Sequence, residues 1–102
     1  MAFTGHENHI ITLEAGANLT QEFRKLFDGQ PKGVFYGRDA IESILRLSGC
    51  VGIRFYFGAT TDGELRLVFC GVNGSENDML EIIGDGGALC PPNCGSSNAL
   101  NS

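Results

Sequence analysis

Lysine and arginine are scarce and confined in this sequence: seven occur, all between Arg24 and Arg66, against twelve aspartates and glutamates, for a formal charge of −5. A field of that sign repels phosphate backbones and anionic lipid surfaces, so nucleic acid is not an expected partner. No apolar run approaches the roughly 18 residues that a membrane-spanning helix needs. The start Met1-Ala2-Phe3-Thr4-Gly5-His6-Glu7 lacks the basic-then-apolar order of a secretory leader. No membrane partner is expected, and the cytoplasm is the expected compartment. Also missing are Gly-x-Ser-x-Gly, a Walker loop and a dinucleotide fingerprint. The carboxylates are scattered, with no pair that can be assigned to acid–base work, so an enzyme is not expected. Asn73-Gly74-Ser75-Glu76-Asn77 mimics the alternation of a calcium loop, but Gly84 stands where the bidentate Glu belongs, which excludes calcium.

What is present suits one domain spanning residues 1–102, large enough for a single hydrophobic core. Thr12 precedes Leu19, Phe23, Leu26 and Phe27 at helical spacing, which predicts an amphipathic helix over about 13–27, ended by Asp28-Gly29-Gln30-Pro31. Gly33-Val34-Phe35-Tyr36-Gly37 is a short β-prone run. Asp39, with Glu42 three residues on, reads as a capping box for a second helix over about 40–47, striped by Ile41, Ile44 and Leu45 and ended at Ser48-Gly49.

The strongest local signal is a hairpin, with Val51–Phe57 and Glu64–Cys70 flanking Thr61-Asp62-Gly63. A three-residue loop pairs Phe57 with Leu67, Phe55 with Phe69 and Ile53 with Gly71. It gathers Val51, Ile53, Phe55, Phe57, Leu65, Leu67 and Phe69 on one face, the expected core under both helices. A two-residue loop would slip the register by one and mix Arg54 and Tyr56 with Leu67 and Phe69. The other face carries Arg54, Tyr56, Arg66, Val68 and Cys70. The predicted fold class is α+β: two helices packed on a small sheet that contains the 51–57/64–70 hairpin and the short 33–37 strand, the latter joined by a right-handed parallel crossover. Residues 79–83 fit helix or strand equally well. Residues 1–11 are expected to be mobile and 84–102 to form an irregular tail, ordered at least through Cys94 because Leu89-Cys90-Pro91-Pro92 is dense and stiff.

Phe35-Tyr36-Gly37-Arg38-Asp39, Gly49-Cys50-Val51-Gly52-Ile53-Arg54-Phe55-Tyr56-Phe57-Gly58, Gly71-Val72-Asn73 with Asn77-Asp78, Cys90-Pro91-Pro92-Asn93-Cys94 and the closing Asn98-Ala99-Leu100-Asn101 together resemble a group of small bacterial proteins. The resemblance covers most of 12–102. It implies a shared fold and a recurring Cys-Pro-Pro-x-Cys tail, and no activity. His6 and His9 lie outside it.

Cys90 and Cys94 admit three readings: a local disulfide or structural turn, a metal site, or a redox pair. Three intervening residues beginning Pro-Pro do not match the two-residue spacing of thioredoxin-type pairs, and a cytosolic pair would be reduced at equilibrium. A zinc site would combine Cys90 and Cys94 with His6 and His9, four N/S ligands for a tetrahedral ion, although His6-Glu7-Asn8-His9 falls one residue short of the helical i,i+4 spacing. Cys50 and Cys70 are not opposed in the preferred register and read as buried free thiols. Arg54, Tyr56 and Arg66, with Tyr36 and Arg38 if the first strand joins the sheet, form a candidate face for an anionic ligand or a partner; the plain alternative is stem packing with the charges in solvent. The acidic, Lys/Arg-free stretch from Leu67 to Ser102 is a solvated surface or a docking face for a basic partner. The resulting expectation is a non-enzymatic module acting through protein–protein contacts or self-association, as a homo-oligomer or accessory subunit. The alternatives are a thiol-redox or zinc protein centred on Cys90 and Cys94, and a binder of a small anion through Arg54 and Tyr56.

Overall fold

Thr12 starts the first helix as its sequence indicates: the hydroxyl accepts from the Ala15 N–H at 3.1 Å, and α1 runs Leu13–Leu26 in the computed structural model, which describes residues 2–101. The remaining elements are β1 (Gly33–Phe35), α2 (Arg38–Leu45), β2 (Cys50–Ala59), β3 (Leu65–Asn73), β4 (Asp78–Gly84) and β5 (Ala88–Cys90). The class is α+β, with small antiparallel sheets. The chain divides into two compact units: residues 1–8 with 36–87, and residues 9–35 with 88–102.

The first unit is built on the hairpin. Gly63 takes the left-handed conformation at φ 85° that the turn requires. Phe57 then pairs with Leu67, Phe55 with Phe69 and Ile53 with Gly71, the register expected from the hydrophobic alternation. Residues 79–83 resolve as strand: β4 pairs antiparallel with β3, giving the order β2-β3-β4. Gly71 faces Met79 and Cys70 faces Ile83, so Leu80, Glu81 and Ile82 bulge out of the ladder. That bulge hides the period-two pattern from the sequence.

The core is smaller than the sequence suggests. Of the seven residues expected to form it, only Phe69 is buried; Phe55 is 45% exposed and Phe57 86%. The reason is coverage. α2 packs on this sheet, whereas α1 groups with β1 and β5 in the other unit. An eight-residue helix is about 12 Å long, and a ten-residue strand about 33 Å, so the far end of the hairpin stays open. Ile44, 1% exposed, sits where Gly71 has no side chain: a Cβ there would meet Ile44 Cγ2 at 3.1 Å and Cys50 Sγ at 3.0 Å. Phe69 lies under Gly84, with the Tyr36 ring edge-on at 4.6 Å and the Phe55 ring at 5.5 Å.

Helix α2 begins two residues earlier than the capping box implies. Gly37 is its N-cap with no side-chain hydrogen bond, and Asp39 falls inside the first turn, where its charge still favours the helix N-terminus. Residues 3–7, expected to be mobile, form a turn in which Glu7 accepts from the Thr4 and Gly5 N–H groups at 2.9 Å. The Phe3 N–H donates to the Gly74 carbonyl at 3.1 Å.

In the second unit β1 pairs antiparallel with β5, Val34 opposite Leu89. The expected parallel crossover into the hairpin sheet therefore does not form, and the tail expected to be irregular contributes a strand. Both strands are three residues long, too short to carry a period. α1 contributes no buried residue; Phe23 stacks on Phe27 at 4.9 Å. Leu100 lies over the bare flank of Gly16, where an added Cβ would stand 3.5 Å from it. Arg24 donates to the Leu100 carbonyl at 2.9 Å and Lys32 to that of Asn101 at 3.0 Å. The tail is thus held beyond Cys94 by the Leu100 anchor and two cations.

A Cβ added at Gly84 would clash with the Cζ end of the Phe69 ring. Gly84→Ala should therefore destabilise the protein by about 1–3 kcal/mol through overpacking, and Phe69→Ala by about 3–5 kcal/mol through cavity formation. Urea denaturation of both variants checks this; a neutral Gly84→Ala would show that the ring is not confined there.

Candidate functional site

Alternation along β2 and β3 sends Arg54, Tyr56 and Cys70 to the face opposite Phe69, and β4 brings Asp78 across from Val72 on that same face. The result is a connected polar cluster. Arg54 Nη1 donates to Asp78 Oδ1 at 2.6 Å and lies 3.5 Å from the Glu76 carbonyl; the Tyr56 hydroxyl donates to Asp78 Oδ2. Both carboxylate oxygens are thereby engaged, one by a cation and one by a phenol. The Arg54 and Asp78 side chains are 34% and 24% exposed, so the pair is only partly shielded from water.

These contacts set the titration of the cluster. The Tyr56 hydrogen bond, followed by the Arg54 guanidinium, holds the Asp78 carboxyl below the usual carboxylate range. Asp78 in turn raises Tyr56 and Arg54 above their ordinary values. Cys70, 3% exposed, is raised first by burial and then by the Asp78 charge, which makes it a poor nucleophile. Cys50 is likewise a free thiol, but only half-buried, with its Sγ 3.2 Å from the Gly52 carbonyl.

Two of the three residues expected on the ligand face therefore come together, and their partner, Asp78, is not among the candidates that the sequence singles out. Its signal was the Asn77-Asp78 step opening a strand. Arg66 does not join them: it pairs with Glu64 at 3.4 Å and Asp85 at 3.9 Å. Tyr36 lies on the opposite face, against Phe69, and donates to the Leu67 carbonyl at 2.5 Å. With Arg54 neutralised by Asp78, the cluster is built as an internal brace more than as an open anion cradle.

Cys90 and Cys94 are joined in a disulfide, Cα to Cα 4.7 Å, that closes a loop through Pro91, Pro92 and Asn93. The loop sits where β5 ends: the Lys32 N–H donates to the Cys90 carbonyl at 2.6 Å, and the Asn93 N–H to the Leu89 carbonyl at 2.9 Å. Beside it, Phe23, Phe27 and Pro91 line a shallow cleft of about 220 Å³ rimmed by Arg24, Asp28 and Lys32. His9 belongs to this unit and His6 to the other. Among the described residues no group of three or more His, Cys, Asp or Glu side chains is placed to hold a metal ion, and none of their helices is long and apolar enough to cross a membrane. Comparison with protein-family models, with curated proteins and with solved structures returned no match.

Because the folded-state pKa of Asp78 is depressed, its contribution to stability is present above the unfolded value near about 3.9 and is lost as pH falls through the folded value. Asp78→Asn should lower the Tm at pH 7, and the gap to the native protein should narrow as pH falls below the ordinary carboxylate range and Asp78 is protonated in both states; a gap that stays constant with pH would show that the charge does not contribute. Reduction of the disulfide, or Cys94→Ser, should cost about 2 kcal/mol, the chain-entropy value for so short a loop. Denaturation with and without reductant measures it, and an unchanged midpoint would make the bridge a passenger.

Proposed function

We propose that this protein is a non-enzymatic interaction module that works by binding protein surfaces, another copy of itself included. The observation that carries this reading is the open end of the hairpin, where Phe55 and Phe57 stand 45% and 86% exposed on a face that alternation devotes to apolar side chains. Leu80 and Ile83 on β4 add 66% and 55% exposed apolar groups in the same unit. Single exposed apolar residues are ordinary, but aromatic groups clustered on one element are the composition of an interface centre. The polar cluster supports the same reading, since Arg54, Tyr56 and Asp78 satisfy one another and present no unpaired charge poised for chemistry.

A second reading is favoured by one observation, the closed Cys90–Cys94 bridge with Cys94 exposed to solvent. A thiol reductant can reach it, and a reversible thiol–disulfide role follows as a competing proposal. In the reduced state the same two sulfurs would be the zinc ligands of that alternative.

Size exclusion with light scattering, together with a thermal-shift screen of common metabolites, tests the first reading. The expected outcome is a mass above that of the 10.9 kDa chain and no small-molecule stabilisation; a clean monomer stabilised by several degrees by a metabolite would overturn it. Insulin-reduction activity lost in Cys94→Ser, or stoichiometric zinc in reduced protein, would promote the second.

A further inference from the structure

Strand β2 is an outer strand of its sheet, paired among the described residues with β3 alone. It is ten residues long, contains no proline, and carries Arg54 as its one charged residue. Outer strands of this length are usually blunted by proline, several charges, bulges or a covering segment, because their unpaired N–H and C=O groups are a template for another strand. The bulge in β2 is confined to the Cys50/Gly52 end, which leaves Ile53 to Ala59 regular.

Parity decides which backbone groups face outward. The Thr60 N–H donates to the Glu64 carbonyl at 2.9 Å, so the even-numbered residues of β2 turn their N–H and C=O groups to β3. The same parity on β3 points the Leu67 carbonyl away from β2, where the Tyr36 hydroxyl meets it. Ile53, Phe55 and Phe57 therefore present their backbone groups at the free edge.

We propose that the edge of β2 pairs antiparallel with β2 of a second copy of this chain, about a twofold axis at Phe55. This rests on the association reading above and names its partner. Faces must match, so Arg54, Phe55 and Tyr56 are the candidate centres. A twofold at Arg54 opposes two guanidinium groups and is repulsive. One at Tyr56 sets Arg54 opposite Gly58, which leaves the cation without a partner across the seam. The twofold at Phe55 pairs Ile53 through Phe57 within the regular stretch, while Val51, at the bulge and with its carbonyl against Gly5, lies outside the seam. On one face Phe55 then meets Phe55, and the exposed Phe57 meets Ile53. On the other, Arg54 lies opposite Tyr56 of the second copy, within reach of the ring and of the Asp78 carboxylate bonded to it, so two cations and two anions alternate across the seam. Charge complementarity selects this register, which also covers the two exposed aromatic side chains.

Three measurements test it. Light scattering should give twice the 10.9 kDa chain mass. Phe55→Cys in a Cys50→Ser background should form a dimer under mild oxidant, because hydrogen-bonded antiparallel pairs lie about 5.5 Å apart at Cα, inside the range of a disulfide. Phe57→Pro removes an outward N–H and an exposed ring while sparing the β3 ladder, and should halve the mass with the circular dichroism retained; Phe57→Lys serves if the proline variant does not fold. A dimer that survives either folded Phe57 variant and does not cross-link at position 55 overturns the seam and leaves the association reading standing on another surface. A native protein that is monomeric at every concentration overturns both.

Discussion

The period of two along β2 and β3, locked by one hairpin register, distributes every consequential group in the first unit. Odd-numbered side chains gather around Phe69 and even-numbered ones meet Asp78, while the backbone polar groups divide the other way, even residues of β2 to β3 and odd residues to solvent. The burial of Phe69, the Arg54–Tyr56–Asp78 brace, the Tyr36 bond to Leu67 and the open outer edge are four results of that one constraint. A slip of a single residue would invert all of them.

Little apolar burial backs this arrangement. Phe69 and Ile44 are the largest fully buried side chains, and two glycines make room for them: Gly84 over the Phe69 ring and Gly71 under Ile44. The second unit has no core residue on its helix at all, and is held by the β1–β5 ladder, the Cys90–Cys94 bridge and the Arg24 and Lys32 bonds to the last carbonyls. Small folds with thin cores depend on such staples or on association, which links the structural economy of this chain to the proposed use of its exposed strand.

Legibility followed the range of each interaction. The α1 cap at Thr12, the left-handed Gly63 and the hairpin register depend on neighbours within a few residues, and the sequence pattern carries them. The partner of β1 does not: a three-residue strand has no period, and pairing with residues 88–90 is settled by a contact more than fifty positions away. β4 escaped because its bulge interrupts alternation, and Asp78 escaped with it, so the brace was visible as Arg54 and Tyr56 without the group that joins them. The core is smaller than the pattern implies for a different reason, since alternation tells which side chains share a face but not how much of that face another element covers. Asp39 in its capping-box spacing lost the cap to Gly37, two residues earlier. For the tail cysteines spacing left disulfide, metal and redox open, and the bridge is the one the structure contains.

Residue-resolved amide hydrogen exchange on β2 separates the two parities, because each reports a different partner. At high concentration the amides of Arg54 and Tyr56, bonded to β3, and those of Phe55 and Phe57, bonded across the seam, should all be protected. On dilution below the association midpoint Phe55 and Phe57 should lose protection while Arg54 and Tyr56 keep theirs. Fast exchange at Phe55 and Phe57 in the concentrated protein, or loss at Arg54 and Tyr56 instead, would contradict the parity from which the whole account is built.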